Sequence, residues 1–225
     1  MTNNIKLLCF DLDGTMVQTK KLHRDILNEA IHAYAPKYFI TEEDHFTTFE
    51  GMTTKEKLRI LVHRGLPVDI ADQIDILKQE KTADALAIFD FNVSYEAMFA
   101  ELHKTYSIIV CTNTIRKSAE GILKKIGILH HLDMVFTNED VLHPKPHPEI
   151  YRRAMQFDVV SPLETLIFED APVGLQSAYA SGAYVRKVRD PSDLTLDMVY
   201  STIDIIHAHQ AARVIDHTLT LTTSL

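Results

Sequence analysis

Two acids, Asp11 and Asp13, follow directly on an apolar stretch in LLCFDLDGTMV (7–17), and this feature restricts the fold more than any other. Residues 5–10, IKLLCF, form the short continuous apolar run that is typical of a strand buried in a parallel sheet. Charged groups beside such a strand are costly unless a partner compensates them. The sequence therefore predicts a buried strand whose carboxyl end carries a functional site.

After residue 90 the chain alternates between apolar strands and helices. Strands are predicted at 107–113, 134–137, 165–170 and 183–188, and helices at 95–106, 115–128, 148–158 and 171–182. This alternation predicts an α/β fold with a Rossmann-like parallel sheet flanked by helices. Right-handed crossovers bring the carboxyl ends of the strands to one edge, where ligands bind. The residues expected at that edge are Asp11, Asp13, Thr112, Asn113, Glu169 and Asp170.

The segment between the first strand and residue 90 has a different pattern, with no convincing strand at 41–89. Helices are predicted at 20–35 and 53–66, and one or two more at 68–89. The expected organisation is a core made of 1–17 and 91–225, with a small α-helical segment inserted at 18–90. The tail after Ser192 is expected to add a helix or a strand to the sheet edge, or to bind a partner.

Charge and cysteine content exclude several classes of function. The formal net charge is −8, whereas a nucleic-acid partner requires a basic face that neutralises phosphates. Cys9 and Cys111 lie in apolar runs without a metal-binding spacing, which is typical of reduced cytosolic proteins. The sequence shows neither a signal-peptide core nor an apolar run of membrane-spanning length. We therefore expect a cytoplasmic protein that binds neither nucleic acid nor a membrane.

Four acids at one sheet edge would repel each other unless a cation lay among them. Oxygen ligands suit Mg²⁺, which binds one or two carboxylates together with water and substrate phosphate. Lys145, between prolines in HPKPHP, and the hydroxyl of Thr112 are suited to bind such a phosphate. A carboxylate beside Mg²⁺ can attack phosphorus, and an acid two residues later can exchange protons with the leaving oxygen and with water.

Four segments, in this order, resemble the motifs of the haloacid dehalogenase superfamily, in its branch of phosphatases and phosphomutases with a small helical cap. They are DLDGT (11–15), VCTN (110–113), the loop around Lys145, and FEDAPVG (168–174). The resemblance covers roughly residues 5–190. It implies that the helical segment 18–90 is the cap, which closes over the site and excludes water.

The resemblance also implies a role for individual residues. Asp11 would be the nucleophile and a metal ligand. Asp13 would be the general acid and base, and its backbone carbonyl would bind the metal. Thr112 and Lys145 would hold the transferring phosphoryl group, and Asn113 would reach the phosphate or the rest of the substrate.

The metal in the resembling family is Mg²⁺, and Asp170 would bind it, with Glu169 as a further ligand or as a partner of one. The metal ligands predicted in this way are Asp11, Asp13, Glu169 and Asp170. As the resemblance has it, true dehalogenases lack an acid at the position of Asp13. The implied activity is therefore hydrolysis of a small phosphorylated metabolite, such as a sugar phosphate, through an aspartyl-phosphate intermediate on Asp11.

An intramolecular phosphomutase is the alternative within the family. His23 and the FED of the fourth motif resemble the β-phosphoglucomutase branch, in which a cap glycine precedes an arginine that clamps a second phosphate. The cap glycine here is Gly51, a predicted substrate contact, but Thr54 stands at the expected position of the arginine. Gln18 also replaces an acid that is common in the first motif. These departures favour hydrolysis.

Two alternatives belong to other classes. A phospho-accepting signalling module also places acids, a hydroxyl and a lysine on an α/β sheet, but the length of 225 residues, the helical insert and Asp13 disfavour it. A catalytically inactive binding protein is disfavoured because no motif residue is missing. The expected assembly is a monomer or a weak homodimer, and the cap is expected to set the choice of substrate.

Overall fold

The computed structural model describes residues 4–91 and 94–222 of the chain. Five parallel strands form one sheet in the order β3-β2-β1-β4-β5. They are β1 (Leu7–Phe10), β2 (Ser107–Cys111), β3 (Met134–Phe136), β4 (Thr165–Glu169) and β5 (Tyr184–Lys187). Each strand lies within two residues of its predicted bounds. The predicted α/β fold class is confirmed.

The first strand, β1, lies at the centre of the sheet, as its apolar residues require. Leu8 and Phe10 pack into the core on one face, and Leu7 and Cys9 pack into the core on the other. The neighbours of β1 are β2 on one side and β4 on the other. Asp11, the residue after β1, therefore lies at the edge where β2, β1 and β4 end side by side.

Helices cover both faces of the sheet. In the described ranges they are α1 (Lys20–Tyr34), α2 (Glu42–Asp44), α3 (Thr54–His63), α4 (Val68–Ile88), α5 (Glu96–Leu102), α6 (Arg116–Lys125), α7 (Glu149–Phe157), α8 (Pro172–Ser181) and α9 (Leu196–Thr222). Apolar residues of α5, α6 and α9 pack on one face, and those of α7 and α8 pack on the other. The result is a three-layer arrangement with the sheet in the middle.

Helices α1, α3 and α4 share an apolar core of their own, while Leu86 near the end of α4 packs into the core on the sheet. The buried residues of the core of their own include Leu27, Ile31, Phe49 and Ile74. The segment predicted as one or two helices is the single helix α4, which packs against α1. A separate apolar core supports the division of the chain at 18–90, whose exact bounds stay a prediction.

The tail of the described chain is a helix, α9, rather than a strand. Val199, Ile203 and Ile206 of α9 are buried against the sheet layer. Gln210 donates a hydrogen bond to the hydroxyl of Tyr184 at 3.2 Å, which ties α9 to the edge strand β5. Among the residues described, no helix combines the length and the apolar character needed to cross a bilayer.

Candidate active site at the carboxyl edge of the sheet

The carboxyl edge of the sheet opens into a cavity of about 550 Å³, which is closed on the far side by residues of α1, α3 and α4. Three strands and one loop supply its chemically active side chains. The predicted site residues that line it are Asp11, Asp13, Gly51, Thr112, Asn113, Lys145 and Glu169. Asp170 lies next to Glu169 and is also buried. The structure thus brings residues from distant parts of the sequence to one place.

A buried lysine joins two of the carboxylates. Lys145 Nζ donates to Asp11 Oδ1 and to Glu169 Oε1, each at 2.7 Å, and only 2% of the lysine side chain is exposed. Burial opposes the charge of Lys145, but the two carboxylates outweigh it and raise the lysine pKa above its ordinary value. Lys145 is therefore a permanent positive charge at the base of the cavity.

Glu169 uses both of its oxygens within the protein. Oε1 accepts from Lys145 and, at 3.3 Å, from the hydroxyl of Tyr151. Oε2 accepts from the backbone N–H groups of the next two residues, at 2.7 and 3.0 Å. A Cβ at Gly174 would lie 1.6 Å from Glu169 Oε1, so only glycine permits this arrangement. Glu169 is thereby fixed as the partner that orients Lys145.

Asp13 accepts hydrogen bonds on both oxygens. Oδ1 accepts from the hydroxyl of Thr19 and lies 3.2 Å from His23 Nε2. Oδ2 accepts from the hydroxyl of Thr114 at 2.6 Å, and the hydroxyl of Thr112 lies 3.5 Å away. Burial opposes the ionised form, but the bonds and charge from His23, Thr114 and Thr19 prevail and hold the pKa of Asp13 well below its usual range. In this state Asp13 is a base.

Asp170 lies at the start of a chain of polar contacts that ends on the helical segment. Its Oδ1 accepts from the hydroxyl of Thr15 at 2.8 Å, and its Oδ2 lies 2.5 Å from Lys20 Nζ. Lys20 Nζ also lies 2.5 Å from Glu50 Oε1. Gly14 has φ +103°, and a Cβ there would lie 2.3 Å from Asp170 Oδ2. Lys20 thus connects the sheet edge to Glu50 above the cavity.

Asn113 and Gly51, two predicted substrate contacts, are bonded to each other. Asn113 Nδ2 donates to the backbone oxygen of Gly51 at 2.8 Å and to that of Lys145 at 3.2 Å, while Oδ1 accepts from the N–H of Lys145 at 3.1 Å. The amide of Asn113 therefore joins the end of β2, the Lys145 loop and the helical segment. Both residues line the cavity. The side-chain amide of Asn113 and the backbone oxygen of Gly51, however, are bonded to each other rather than open to a substrate.

The buried acids fit a divalent cation. Asp11, Glu169 and Asp170 each present a carboxylate oxygen within 4.8 Å of the others. Burial, followed by the negative charge of Glu169, raises the pKa of Asp11 well above its ordinary value, against the lowering effect of Lys145. A cation would relieve this repulsion, and hard oxygen donors are what Mg²⁺ prefers. Among the described residues Asp11 Oδ2 accepts no hydrogen bond, which leaves it open for a ligand.

Several residues of the site have no assigned role in the sequence motifs. Thr19 and Thr114 bond to Asp13, and Lys20 pairs with Asp170. Lys57 and Lys78 are buried lysines of α3 and α4 that line the cavity. No local pattern distinguishes these two lysines from the other lysines of the same helices, because charged residues flank both of them.

A family model and individual relatives both match most of this chain. A family model described as haloacid dehalogenase-like hydrolase matches residues 8–188. The protein CbbY of Rhodobacter capsulatus is 29% identical over 213 residues, which cover 89% of this chain and 91% of that protein. The fructose-1-phosphate phosphatase YqaB of Escherichia coli is 27% identical over 189 residues, covering 81% of this chain and 95% of that protein.

Solved structures agree with these sequence matches. The crystal structure of CbbY from Rhodobacter sphaeroides in complex with phosphate has a TM-score of 0.72 at 25% identity, covering 81% of this chain and 85% of that chain. The structure of β-phosphoglucomutase from Clostridium difficile has a TM-score of 0.73 at 17% identity, covering 89% and 97% of the two chains. At that identity the second match concerns the fold alone.

Proposed function

Because the chain belongs to the haloacid dehalogenase-like hydrolases, we propose that it is a Mg²⁺-dependent phosphatase that hydrolyses a small phosphorylated metabolite through an aspartyl-phosphate on Asp11. The predicted family is confirmed by the match over residues 8–188, and the predicted enzyme class, a phosphatase, by relatives such as the fructose-1-phosphate phosphatase. A sugar phosphate is the proposed type of substrate.

The observation that carries the proposal is the set of contacts made by the Asp11 carboxylate. One carboxylate oxygen is held by Lys145 at 2.7 Å, and the other accepts no hydrogen bond among the residues described. A buried carboxylate with one fixed and one open oxygen is pre-oriented for attack on an electrophile in the cavity. The hydroxyl of Thr112, at the end of the next strand, and the charge of Lys145 are placed to bind a phosphoryl group.

In the first proposed step an oxygen of Asp11 forms a bond to phosphorus, and the bond from phosphorus to the leaving oxygen breaks. Asp13 gives a proton to that oxygen. Because hydrogen bonds from His23, Thr19 and Thr114 favour ionised Asp13, the acid form requires some of these bonds to break or a phosphate dianion to approach. His23 and Thr19 belong to the start of the helical segment, so its movement would change the protonation of Asp13.

In the second proposed step water attacks the phosphorus of the aspartyl-phosphate. Asp13, now in the ionised form that its hydrogen bonds favour, removes a proton from the water, and the bond between phosphorus and Asp11 breaks. Asp11, Asp170 and the backbone carbonyl of Asp13 are the proposed holders of Mg²⁺, which when bound supplies positive charge next to the phosphoryl oxygens. Glu169 is proposed to keep Lys145 in place.

The helical segment 18–90 is proposed to act as the cap over this site. Its residues Gly51 and Glu50 are joined to the sheet edge by Asn113 and Lys20, which is the contact expected of a cap that lies on the site. A cytoplasmic location, a monomeric or weakly dimeric state and the absence of nucleic-acid and membrane partners stay predictions from the sequence.

The proposal is tested with the purified protein and a panel of sugar phosphates, nucleotides and phosphoglycolate, by the release of inorganic phosphate. We expect repeated turnover with Mg²⁺ and none after chelation by EDTA, because the buried carboxylates repel one another without a cation. A stable phosphoprotein without turnover would favour the signalling alternative. Conversion of β-glucose 1-phosphate, primed by a bisphosphate and without phosphate release, would favour the mutase.

Lys20→Met is expected to lower the Mg²⁺ concentration that gives half-maximal activity by about threefold to tenfold. Lys20 Nζ lies 2.5 Å from Asp170, so its removal takes a competing positive charge away from the proposed metal ligands. The measurement is activity against Mg²⁺ concentration, with Lys21→Met as the control, since Lys21 is exposed and pairs with Asp25 on the surface. A higher Mg²⁺ requirement in Lys20→Met would contradict this role.

A further inference from the structure

Two adjacent histidines and a glutamate meet on the surface at a point that the proposed mechanism does not use. His130 Nε2 lies 3.1 Å and His131 Nε2 lies 3.4 Å from the same oxygen, Oε1 of Glu96. One donor atom of each residue lies within 4.8 Å of a donor atom of the other two. The three residues lie outside the set that lines the active-site cavity, so the chemistry at Asp11 gives them no role.

The distances in this cluster are those found between the ligands of one small divalent ion. In a tetrahedral site with bonds of about 2.0–2.1 Å to nitrogen and oxygen, neighbouring ligand atoms lie about 3.3 Å apart. The distances of 3.1 and 3.4 Å from Glu96 Oε1 to the two imidazole nitrogens lie on either side of that value. Both histidines are therefore in place to share one ion with the Glu96 carboxylate.

The surrounding structure holds both sides of the cluster in place. Next to Glu96, the side chain of Tyr95 is buried, and its hydroxyl lies 3.1 Å from two backbone oxygens. On the other side, Ile128 is buried in the core on the sheet, and its backbone oxygen accepts from the N–H of His131 at 2.9 Å. A Cβ at Gly127 would lie 2.9 Å from Glu96 Oε2, so the glycine leaves room for the carboxylate. Ligands held on fixed backbone lose little conformational freedom when they bind an ion.

The types of ligand select the class of metal. Imidazole nitrogens suit Zn²⁺ and the neighbouring transition metals, whereas Mg²⁺ prefers oxygen ligands. Glu96 and His130 are exposed, so a fourth position is open to water. The cluster therefore differs from the acids around Asp11 both in ligand chemistry and in location.

We propose that Glu96, His130 and His131 bind a divalent ion of the Zn²⁺ class, in a site distinct from the proposed Mg²⁺ site. The ion ties the start of α5 to the short helical turn after α6. Lys125 of α6 shows that the helical segment joins the core nearby, because its Nζ donates to two backbone oxygens at the end of α4, at 2.7 and 3.1 Å. Bound metal therefore stabilises the core beside this junction.

The test is calorimetric titration of ZnCl₂ into the metal-free protein, with excess MgCl₂ present so that sites made only of oxygen ligands are occupied. We expect the natural protein to bind at least one equivalent of Zn²⁺ with a Kd of about 10 µM or tighter. His130→Asn with His131→Asn should lose one equivalent. No Zn²⁺ binding by the natural protein, or an unchanged stoichiometry in this double variant, would overturn the proposal.

Other histidines of the chain are accounted for in the same experiment. His32→Asn with His63→Asn is the matched control, because it removes two exposed histidines of the helical segment and should leave the stoichiometry unchanged. Loss of the same equivalent in this control would also overturn the proposal. The group formed by His143, His147 and Glu149 can hold a metal as well. Zn²⁺ bound there cancels, because the comparison counts the difference between proteins that all contain this group.

Glu96→Gln separates a metal site from an ion pair between side chains. If Glu96 is a ligand, the Kd for Zn²⁺ should rise about tenfold or more, because an amide oxygen binds the ion more weakly than a carboxylate. An ion pair alone predicts an unchanged Kd, which would overturn the proposal even if the double histidine variant does not fold. Saturating Zn²⁺ should also raise the unfolding temperature of the natural protein and not that of Glu96→Gln at the same concentration. An equal rise in both proteins would contradict a site that contains Glu96.

Discussion

Asp11→Asn is expected to lower kcat for phosphate release by about four orders of magnitude or more, while the protein stays folded. Asparagine has nearly the shape of aspartate but lacks the negative charge that attacks phosphorus. It can still face Lys145, whose other partner, Glu169, remains in place at 2.7 Å. The measurement is single-turnover and steady-state release of phosphate in Mg²⁺, together with circular dichroism.

Two further variants separate the loss of the nucleophile in Asp11→Asn from the general effect of replacing an aspartate. Asp72→Asn changes an exposed aspartate on α4 that does not line the cavity, and we expect it to leave kcat within twofold of the natural protein. Asp13→Asn removes the proton-exchanging group but keeps the nucleophile, so kcat should fall by about 10²-fold to 10⁴-fold. Substantial turnover by Asp11→Asn would exclude Asp11 as the nucleophile.

Lys145→Met is expected to lower the free energy of unfolding by about 3 kcal/mol or more and to abolish measurable turnover. Lys145 lies between Asp11 and Glu169, and no other cation of the described chain contacts either of these carboxylates. Its removal leaves two buried acids without a positive partner, although Glu169 keeps its bonds to Tyr151 and to two backbone N–H groups. It also leaves the transferring phosphoryl group without its positive partner. The measurement is urea denaturation in EDTA, in parallel with phosphate release.

Added Mg²⁺ should stabilise Lys145→Met more than it stabilises the natural protein, because the metal would then be the main positive charge beside the acids. Lys117→Met is the control, since Lys117 is an exposed lysine of α6, and its unfolding free energy should change by less than about 0.5 kcal/mol. A Lys145→Met protein as stable as this control in EDTA would show that the buried ion pairs do not support the fold.

The parts of the fold that depend on local pattern could be predicted from the sequence. The continuous apolar run before Asp11 indicated a strand buried on both faces, and β1 is the central strand. Parallel strands share one carboxyl edge, which is why Asp11, Thr112 and Glu169 could be expected to meet. The tail after Ser192 was less determined, because its apolar positions suit either a helix or a strand, and α9 is a helix.

The contacts that tune the site depend on tertiary packing and could not be predicted in this way. Glu169 was expected as a metal ligand or as a partner of one, and its four hydrogen bonds within the protein favour the second role. The ion pair of Lys20 with Asp170 joins residues 150 positions apart, and nothing in either local sequence indicates the pairing. Periodicity indicates which face of a helix is apolar but not which lysine is folded inward, as Lys57 and Lys78 are.

The helical segment has an apolar core that shares no residue with the two cores on the sheet, and this separation bears on how the protein can change over evolutionary time. A substitution among the residues that pack α1 against α4 alters the roof of the cavity without disturbing the packing that fixes Asp11 and Lys145. The range of accepted compounds can therefore drift by mutation while the reaction is conserved. Directed evolution aimed at new substrates should accordingly diversify α3 and α4 and leave the ends of β1, β2 and β4 unaltered.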